Sequence, residues 1–328
     1  MHYPSTAAAR DRFILDRRGS RPSHDPWRYQ GLIVEDERTA DGRVAHVATV
    51  FLTGRECLWR CAMCDLWQYT TTADTPLGAI PAQLAAARQE LSREPDLIAR
   101  MKLYNAGSFF DPRAVPEQDY CEIARQLAGL SHVIVESHPS LVGPRVDRLL
   151  EALEQNHTPR AQLEVAMGLE TTHPDALERL HKRMTVEEFA LAADRLKQRA
   201  VALRVFLLIF PPFVPSGDQD AWLLRSLDAA FSCGATAVSL IPTRAGNGTL
   251  EALAESGQFR APRLADVERS AEAAYRHFPD RGRIFVDLWE LWRFSDCAHC
   301  FAARRARLHR MNLEQRMLPE VECLHCGA

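Results

Sequence analysis

The stretch GRECLWRCAMC, residues 54–64, carries three cysteines at the spacing CxxxCxxC, directly after an apolar run predicted to be a strand. Three thiolates on one short loop can ligate three irons of a 4Fe-4S cluster and leave the fourth iron open, whereas an electron-transfer cluster normally uses four cysteines. A zinc knot would need a fourth local ligand, and His46 lies back within the strand. The loop therefore favours a cluster with an open iron on Cys57, Cys61 and Cys64.

The composition is that of an ordinary globular protein. The chain has 328 residues, of which 46% are hydrophobic and 25% charged, enough to bury a sizeable core. Its start has no apolar signal-like region, and no later stretch approaches the ~18 apolar residues of a membrane span. The net charge of −3 argues against a protein whose whole surface coats nucleic acid. We therefore expect a cytoplasmic protein that does not bind membranes.

The chain has nine cysteines, and seven of them fall into three tight clusters. On a large chain without an export signal, this clustering favours metal binding over disulfides. The other two, Cys121 and Cys233, lie on predicted helix faces, where a free cysteine is most often a small core residue. We assign them no role.

Apolar runs alternate with amphipathic segments along the middle of the chain, which predicts a βα repeat. Such alternation requires crossover connections and hence a parallel sheet, which at this length can curl into a full or partial barrel. Chemistry is then expected at the C-terminal ends of the strands. The predicted strands are 45–52, 101–105, 133–136, 163–167, 205–210, 237–241 and 284–286. The predicted helices are 81–94, 118–128, 144–155, 174–180 joined to 186–199, 220–231 and 263–277.

The chain divides into three predicted parts. Residues 1–42 mix Pro, Arg, Asp and Ser with little periodicity and are predicted to be an irregular lead-in. Residues 43–287 hold the βα repeat. Residues 288–328 begin with an aromatic stretch, continue into an Arg-rich helix and carry four cysteines, so we predict a small appended metal-binding module.

The loop of residues 57–64 resembles the signature of the radical S-adenosylmethionine (SAM) superfamily, and the similarity runs from about 44 to 284. The resemblance implies an α/β fold with a partial (βα)6 barrel, a 4Fe-4S cluster on Cys57, Cys61 and Cys64, and SAM chelating the open iron. It also implies reductive cleavage of SAM to a 5′-deoxyadenosyl radical that abstracts hydrogen, with an electron donor such as a flavodoxin or ferredoxin. The cofactor supplies the difficult chemistry.

Further segments match positions that hold SAM in the superfamily. Met63 occupies the position that packs near the adenine, where relatives often have an aromatic residue. The segment KLYNAGSFFD resembles the one that offers backbone groups to the methionine amine, although a strand-end turn explains its glycine alone. The implied SAM-binding residues are Met63, Asn105, Ala106, Gly107, Ser108, Glu136, Ser137, Gly168 and Glu170.

Two other segments leave their roles open. In the HKRMT stretch, Lys182 and Arg183 fit a capping turn as well as they fit cofactor binding, since Thr185 and Glu188 form a capping box. In SLIPTRAGNG, residues 239–248, an arginine and two glycines could approach adenine or a substrate anion, or form a flexible turn.

The pairs CAHC and CLHC give Cys297, Cys300, Cys323 and Cys326, two CxxC knuckles separated by 22 residues. Two such pairs are a strong metal signal. Four thiolates suit a closed tetrahedral zinc site, which would stabilise a tail of low apolar content. An auxiliary 4Fe-4S cluster uses the same ligands, so spacing alone leaves both metals open, and we prefer zinc.

Within the superfamily, the sequence resembles the elongator-like and methylthiotransferase-like branch and the family of archaeosine synthase radical subunits, which act on a modified base in tRNA. This implies an enzyme for RNA or a nucleoside-derived substrate. The segment 292–316 has six arginines against two carboxylates and could contact phosphates around Arg304, Arg305, Arg307 and Arg310, or be a solvated helix face. A small-molecule substrate is the alternative. A non-catalytic nucleic-acid-binding protein would leave the three-cysteine loop unexplained.

Overall fold

Eight strands form one sheet in the computed structural model, which describes residues 2–92, 98–156 and 161–326. The strands follow one another across the sheet in chain order. The first pair is antiparallel and every later pair is parallel. The strands are β1 (Gly31–Arg38), β2 (Val44–Leu52), β3 (Ile98–Asn105), β4 (His132–Glu136), β5 (Gln162–Glu170), β6 (Ala202–Ile209), β7 (Ala235–Pro242) and β8 (Arg283–Val286).

Ten α-helices lie within the described residues, and each strand from β2 to β7 is followed by at least one of them. Six βα units thus build a curled, half-barrel sheet, which confirms the predicted fold class. No helix in the described part of the chain is both long and apolar enough to cross a membrane. The helices are α1 (Ala7–Leu15), α2 (Ala79–Leu91), α3 (Tyr120–Gln126), α4 (Pro144–Asn156), α5 (Pro174–Arg179), α6 (Val186–Gln198), α7 (Gln219–Ser232), α8 (Thr249–Glu255), α9 (Leu264–His277) and α10 (Ala298–Glu314).

All seven predicted strands are confirmed, as are the predicted helices, apart from the end of 81–94, which lies outside the described residues. The prediction of an irregular lead-in is wrong for α1 and β1. Strand β1, GLIVEDER, shows no alternation of apolar and polar residues. Its one buried residue is Glu37. Its burial depends on partners from distant strands. Helix α8 was also not predicted.

The interior of the half barrel holds a layer of buried charges near the N-terminal ends of the strands. Arg204 of β6 binds Glu37 of β1, with 2.6 Å from Nη2 to Oε1, and also binds Glu164 of β5. Lys102 of β3 lies 2.6 Å from Glu37, and Arg283 of β8 lies 3.3 Å from Glu164. Burial opposes ionisation, but Arg204 and Lys102 hold the pKa of Glu37 at about 2. Strands that are not neighbours meet here because the sheet curls.

An apolar layer lies above these charges, toward the C-terminal ends of the strands. Val47, Ile134 and Ala166 are fully or almost fully buried in it, and Tyr104 and Phe206 pack against them. The two aromatic rings meet edge to face with their centroids 6.1 Å apart. The charged layer and this apolar layer close one end of the barrel, so the C-terminal ends of the strands are left for a site.

The free edge of β8 is covered by helix α10. The side-chain amide of Asn312 accepts a hydrogen bond from the backbone N–H of Val286 (2.8 Å) and donates to its carbonyl (2.9 Å). Gln315 makes the same pair of hydrogen bonds to Ile284, at 2.7 and 2.8 Å. An unpaired strand edge is a row of unsatisfied polar groups. These two amides therefore replace the missing neighbouring strand.

We expect Asn312→Ala and Gln315→Ala each to lower the free energy of unfolding by about 1–3 kcal/mol, because the first leaves the N–H and carbonyl of Val286 without partners and the second leaves the N–H of Ile284 without one, while Tyr275 still donates to the carbonyl of Ile284. Arg305→Ala, at an exposed position of the same helix, is the matched control and should change stability by less than about 0.5 kcal/mol. Denaturant titration measures all three. If a variant with both alanine substitutions were as stable as Arg305→Ala, the edge-covering role of Asn312 and Gln315 would be contradicted.

Candidate functional site

The three-cysteine loop follows β2 and is held by residues far away in the chain. The backbone N–H of Ala62 donates to the carbonyl of Leu180 (2.8 Å). The buried amide of Asn247 donates to the carbonyls of Ala62 (2.6 Å) and Cys64 (3.3 Å). Its oxygen accepts from the N–H groups of residues 249 and 250 at the start of α8. Asn247 lies in the SLIPTRAGNG segment, where sequence reasoning considered only its neighbours.

A stacked pair of rings fixes the first half of the loop. The ring of Trp59 stacks on His138 with centroids 3.6 Å apart. Burial lowers the pKa of His138 to about 3, so this imidazole is neutral. Its Nε2 lies 3.0 Å from the carbonyl of Lys182, and its Nδ1 accepts from the N–H of Ser140. The histidine therefore holds the loop through the face of a neutral ring.

The spacing of the three loop thiols tests what they can hold. A single zinc ion with sulfur ligands at 2.3 Å brings thiolates to about 3.8 Å from one another. Among the described residues, only the C-terminal cysteines form a set of potential ligands that all lie within 4.8 Å. The thiols of Cys57, Cys61 and Cys64 therefore do not all lie within 4.8 Å of one another, as three sulfur ligands of a single zinc ion would.

The three thiols lie in a pocket that disfavours a free thiolate. Burial raises the pKa of Cys57 and Cys64 and brings that of Cys61 to about 12, although the charge of Lys182 acts in the opposite direction on Cys57 and Cys61. A bound metal deprotonates a coordinating thiol outright. The pocket is therefore compatible with thiolates only when a metal group neutralises them.

A buried ion pair lies beside this loop. Lys182 Nζ is 2.6 Å from Glu170 Oε1, and both side chains are almost inaccessible. Burial opposes the charge of Lys182, but Glu170 and Cys61 outweigh it and raise the pKa of the lysine. Glu170 has a left-handed backbone with φ of 67°, which is strained for a side chain of this size. A Cβ on Gly168 would lie 2.0 Å from Glu170 Oε1, so only glycine leaves room for the pair.

The end of β3 presents a buried amide without a partner. Asn105 is 3% exposed, and neither its side-chain oxygen nor its nitrogen makes a hydrogen bond within the described residues. A Cβ on Gly107 would lie 3.3 Å from this amide nitrogen, so glycine keeps the space beside it open. A buried polar group without a partner costs about 1–3 kcal/mol, which a bound polar ligand would recover.

The remaining predicted SAM-binding residues differ in what they offer. Ser108 Oγ accepts from the N–H of His138 (2.8 Å), and Ser137 Oγ donates to the carbonyl of that residue. Both hydroxyls therefore support the strand ends. Ala106 lies in the turn after β3, between Asn105 and Gly107. Met63 packs against an apolar cluster that includes Tyr3 and Leu250.

Glu136 ends β4 on the same side of the strand as His132 and Ile134, which face the barrel interior. Burial raises its pKa to about 8, against the opposing charge of Lys182. At neutral pH this carboxyl is therefore mostly protonated. It can donate a hydrogen bond into the interior.

The HKRMT turn divides between the site and the N-terminal helix. Lys182 points to Glu170, whereas His181 and Arg183 both bind Asp11 of α1. Thr185 forms the predicted capping box of α6 with Glu188. Lys182 therefore lies at the site, whereas Arg183 contacts the N-terminal helix.

Arg244 is not available for a substrate anion, because it forms an ion pair with Asp287 and donates to the carbonyl of Trp289 (2.9 Å). Gly246 and Gly248 have φ of 144° and 77°, and a Cβ on Gly248 would lie 2.1 Å from the carbonyl oxygen of Arg17. Close approach of the N-terminal segment therefore accounts for Gly248.

The C-terminal cysteines converge as predicted. Cys297 Sγ lies 4.0 Å from Cys323 Sγ, and Cys300 Sγ lies 3.6 Å from Cys326 Sγ. These separations match the value of about 3.8 Å for four thiolates around one zinc ion. The rings of the two knuckle histidines, His299 and His325, stack on each other with centroids 3.8 Å apart.

The predicted phosphate contact by four arginines of α10 is wrong for two of them. Arg304 and Arg307 are 7% and 6% exposed and bind Glu268 of α9. Arg307 also lies 2.6 Å from Glu272. Arg310 is exposed and pairs with Glu314 on its own helix, and Arg305 is exposed. Helical periodicity places residues 304 and 307 on the inner face, which composition alone could not indicate.

Comparison with known proteins adds sequence and fold relatives. No protein-family model matches the chain. Archaeosine synthase subunit beta of Methanosarcina acetivorans is 30% identical over 246 residues, 70% of this chain and 68% of that protein. An uncharacterized protein of Methanocaldococcus jannaschii is 21% identical over 248 residues, 71% of this chain and 66% of that protein. The chain thus spans about two thirds of the length of these relatives.

Two solved structures share the fold. Methylornithine synthase has a TM-score of 0.54 at 14% identity, covering 83% of this chain and 70% of that one. Elp3 of Methanocaldococcus infernus has a TM-score of 0.50 at 13% identity, covering 74% of this chain and 60% of that one.

A half barrel of six βα units with three cysteines on the loop after its first parallel strand is the arrangement that the resemblance to the radical SAM superfamily implies. The chain shares the fold of those two solved structures and belongs to the family of archaeosine synthase subunit beta.

We expect the four C-terminal cysteines to bind one zinc ion, since their thiols are spaced for a single tetrahedral metal. Metal analysis of the anaerobically purified protein should find zinc that persists in a variant lacking the three loop cysteines. Cys323→Ala should lose the zinc and destabilise the tail, with Cys121→Ala as the control. Iron and sulfide in place of zinc, both lost in Cys297→Ala, would instead establish an auxiliary cluster.

Proposed function

We propose that this chain is an enzyme that binds a 4Fe-4S cluster through Cys57, Cys61 and Cys64, binds SAM beside it, and abstracts a hydrogen atom from a nucleoside in RNA. The observation that carries the proposal is the loop itself: three partly buried thiols that do not all lie within 4.8 Å of one another, next to a buried ion pair and a buried amide without a hydrogen-bond partner in the described part of the chain. The cluster and SAM, when bound, supply an electron and a 5′-deoxyadenosyl radical.

The chain's own residues hold the polar end of SAM in this proposal. The Asn105 amide has one free donor group and one free acceptor, which suit the amine and the carboxylate of an amino acid. Lys182 keeps its positive charge beside the thiols because Glu170 is within hydrogen-bonding distance. Backbone groups from Ala106 to Ser108 lie on the turn that Gly107 keeps narrow. Met63 and the irregular end of β5 at Gly168 complete the proposed pocket, and the hydroxyl of Ser137 supports the strand end.

We propose that the carboxyl of Glu136 forms a hydrogen bond to the substrate or to the ribose of SAM. Its carboxyl faces the interior above the apolar layer and is mostly protonated at neutral pH. In that state it donates a hydrogen bond from its oxygen without placing a negative charge in the barrel. The apolar layer below it excludes water from one side, which protects a reactive intermediate.

The substrate class follows from the family. The relative that is 30% identical is named archaeosine synthase subunit beta, and archaeosine synthase makes a modified nucleoside. The word subunit in that name supports a second protein as a partner of this chain, in addition to an electron donor such as a flavodoxin or ferredoxin. With Arg304 and Arg307 buried, we place the RNA contact elsewhere than on α10.

We expect the anaerobically reconstituted protein, given dithionite and SAM, to form 5′-deoxyadenosine. Replacing Cys57, Cys61 or Cys64 by Ala should abolish this product, because each thiolate holds one iron. Chromatography of the quenched reaction measures it, and Cys233→Ala is the control. Wild-type rates in the triple variant would overturn the assignment of the cluster.

Deletion of the gene should remove one modified nucleoside from bulk RNA or cause its precursor to accumulate, because the proposed enzyme acts on a nucleoside. Mass spectrometry of digested RNA from the deletion strain, compared with its parent, makes the measurement. Complementation with the Cys61→Ala variant should leave the deletion profile unchanged. An identical nucleoside profile in both strains would contradict an RNA substrate and favour a small molecule.

A further inference from the structure

Two tryptophans are displayed on the turn that follows β8. Residues Leu291–Phe294 form a short 3-10 helix whose two end residues are buried. In contrast, Trp289 is 55% exposed and Trp292 is 63% exposed. Large aromatic side chains usually bury most of their surface. The turn therefore buries its aliphatic and phenyl side chains and leaves both indole rings in solvent.

The turn is held tightly by side-chain contacts. Arg244 donates to the carbonyl of Trp289 (2.9 Å), and Arg293 donates to the carbonyl of Ala245 (2.6 Å). Glu290 has a left-handed backbone with φ of 49°. A non-glycine residue in this conformation is strained and persists only where the surroundings enforce it, commonly at ligand-binding positions. The exposure of the tryptophans is thus built into a fixed turn.

The turn lies at the opening of the barrel. Trp289 is 6.0 Å, ring centroid to centroid, from Phe51, a partly buried residue near the C-terminal end of β2. Because Phe51 lies on β2 and Trp289 follows β8, this contact brings together the first and the last parallel strands of the sheet. The three-cysteine loop and Glu136 also lie at the C-terminal ends of their strands, β2 and β4. The indole ring of Trp289 therefore lies beside the opening of the half barrel.

The charges of this surface are paired internally. Arg244 forms an ion pair with Asp287, and Arg293 lies 3.0 Å from Glu290. The surface is thus locally neutral and offers aromatic faces rather than free cations. Phosphate contacts need free cations, whereas base stacking needs only a flat apolar face.

We propose that Trp289 and Trp292 form a stacking platform for an unpaired nucleobase of the RNA substrate at the mouth of the barrel. This rests on the proposed function and deepens it, since it names where the base is held. Sequence-specific binding to RNA commonly uses unstacked bases laid on aromatic side chains. A base extruded from tRNA would stack on Trp289 beside Phe51, and Trp292 is the more exposed of the two rings.

The test is binding of bulk tRNA, purified from the deletion strain and labelled with a fluorophore, by the reconstituted full-length protein over a salt series. Trp289→Ala and Trp292→Ala should each weaken binding about tenfold to a hundredfold, the range for loss of one stacked base. The dependence of binding on salt should stay that of the wild type, because no phosphate contact is lost. Trp289→Phe and Trp292→Phe should recover most of the affinity.

Leu191→Ala is the matched control, because it removes an exposed apolar side chain on α6, about a hundred residues before the two tryptophans in the sequence. Equal melting temperatures and iron contents show that the variants fold. Wild-type affinity in both alanine variants would overturn the platform while leaving the proposed function standing. A flatter salt slope would mean a phosphate contact and also overturn it, as would unchanged tRNA binding with loss of a co-purifying protein partner. Failure of the wild-type protein itself to bind tRNA would overturn the RNA substrate and the platform together.

Discussion

Arg204 is the charge on which the interior of the half barrel depends. It lies between Glu37 of β1 and Glu164 of β5, and its own strand is β6. Removing one member of a buried ion pair typically costs about 3–5 kcal/mol, because the remaining charge is left unpaired in a medium of low polarity. Removing Arg204 would leave Glu37 with Lys102 and Glu164 with Arg283 as basic partners, and each carboxylate would lose a close ion pair. The ion network thus draws β1 across the interior and stabilises the curl of a sheet that does not close by strand pairing.

The candidate site depends on that curl, because its parts come from the whole length of the chain. The three-cysteine loop follows β2, the Glu170–Lys182 pair follows β5, and Asn247 follows β7. In a flat sheet these strand ends would lie far apart, since neighbouring strands are about 4.8 Å from one another. Curling brings them around one opening. The N-terminal segment then covers the outer side through Asp11 and Arg17.

Much of this was predictable, and the exceptions share one cause. The βα repeat, the three-cysteine loop and the paired CxxC knuckles are local patterns, so the strands, the fold class and the convergence of the four C-terminal cysteines are confirmed. Strand β1 was missed because its one buried residue is a glutamate whose partners lie on other strands. The sequence does not indicate that Arg304 and Arg307 are paired and buried, because their partners, Glu268 and Glu272, lie on a different helix.

The sequence by itself determined the kind of protein, since cysteine spacing and hydrophobic periodicity depend only on residues near one another in the chain. Tertiary structure alone decided that Asn247 clamps the loop, that Gly168 makes room for the Glu170–Lys182 pair, and that Asn312 and Gln315 replace a strand at the edge of β8. The physical reason is that a hydrogen bond or an ion pair needs two groups within about 3–4 Å, and that proximity arises only when the chain has folded.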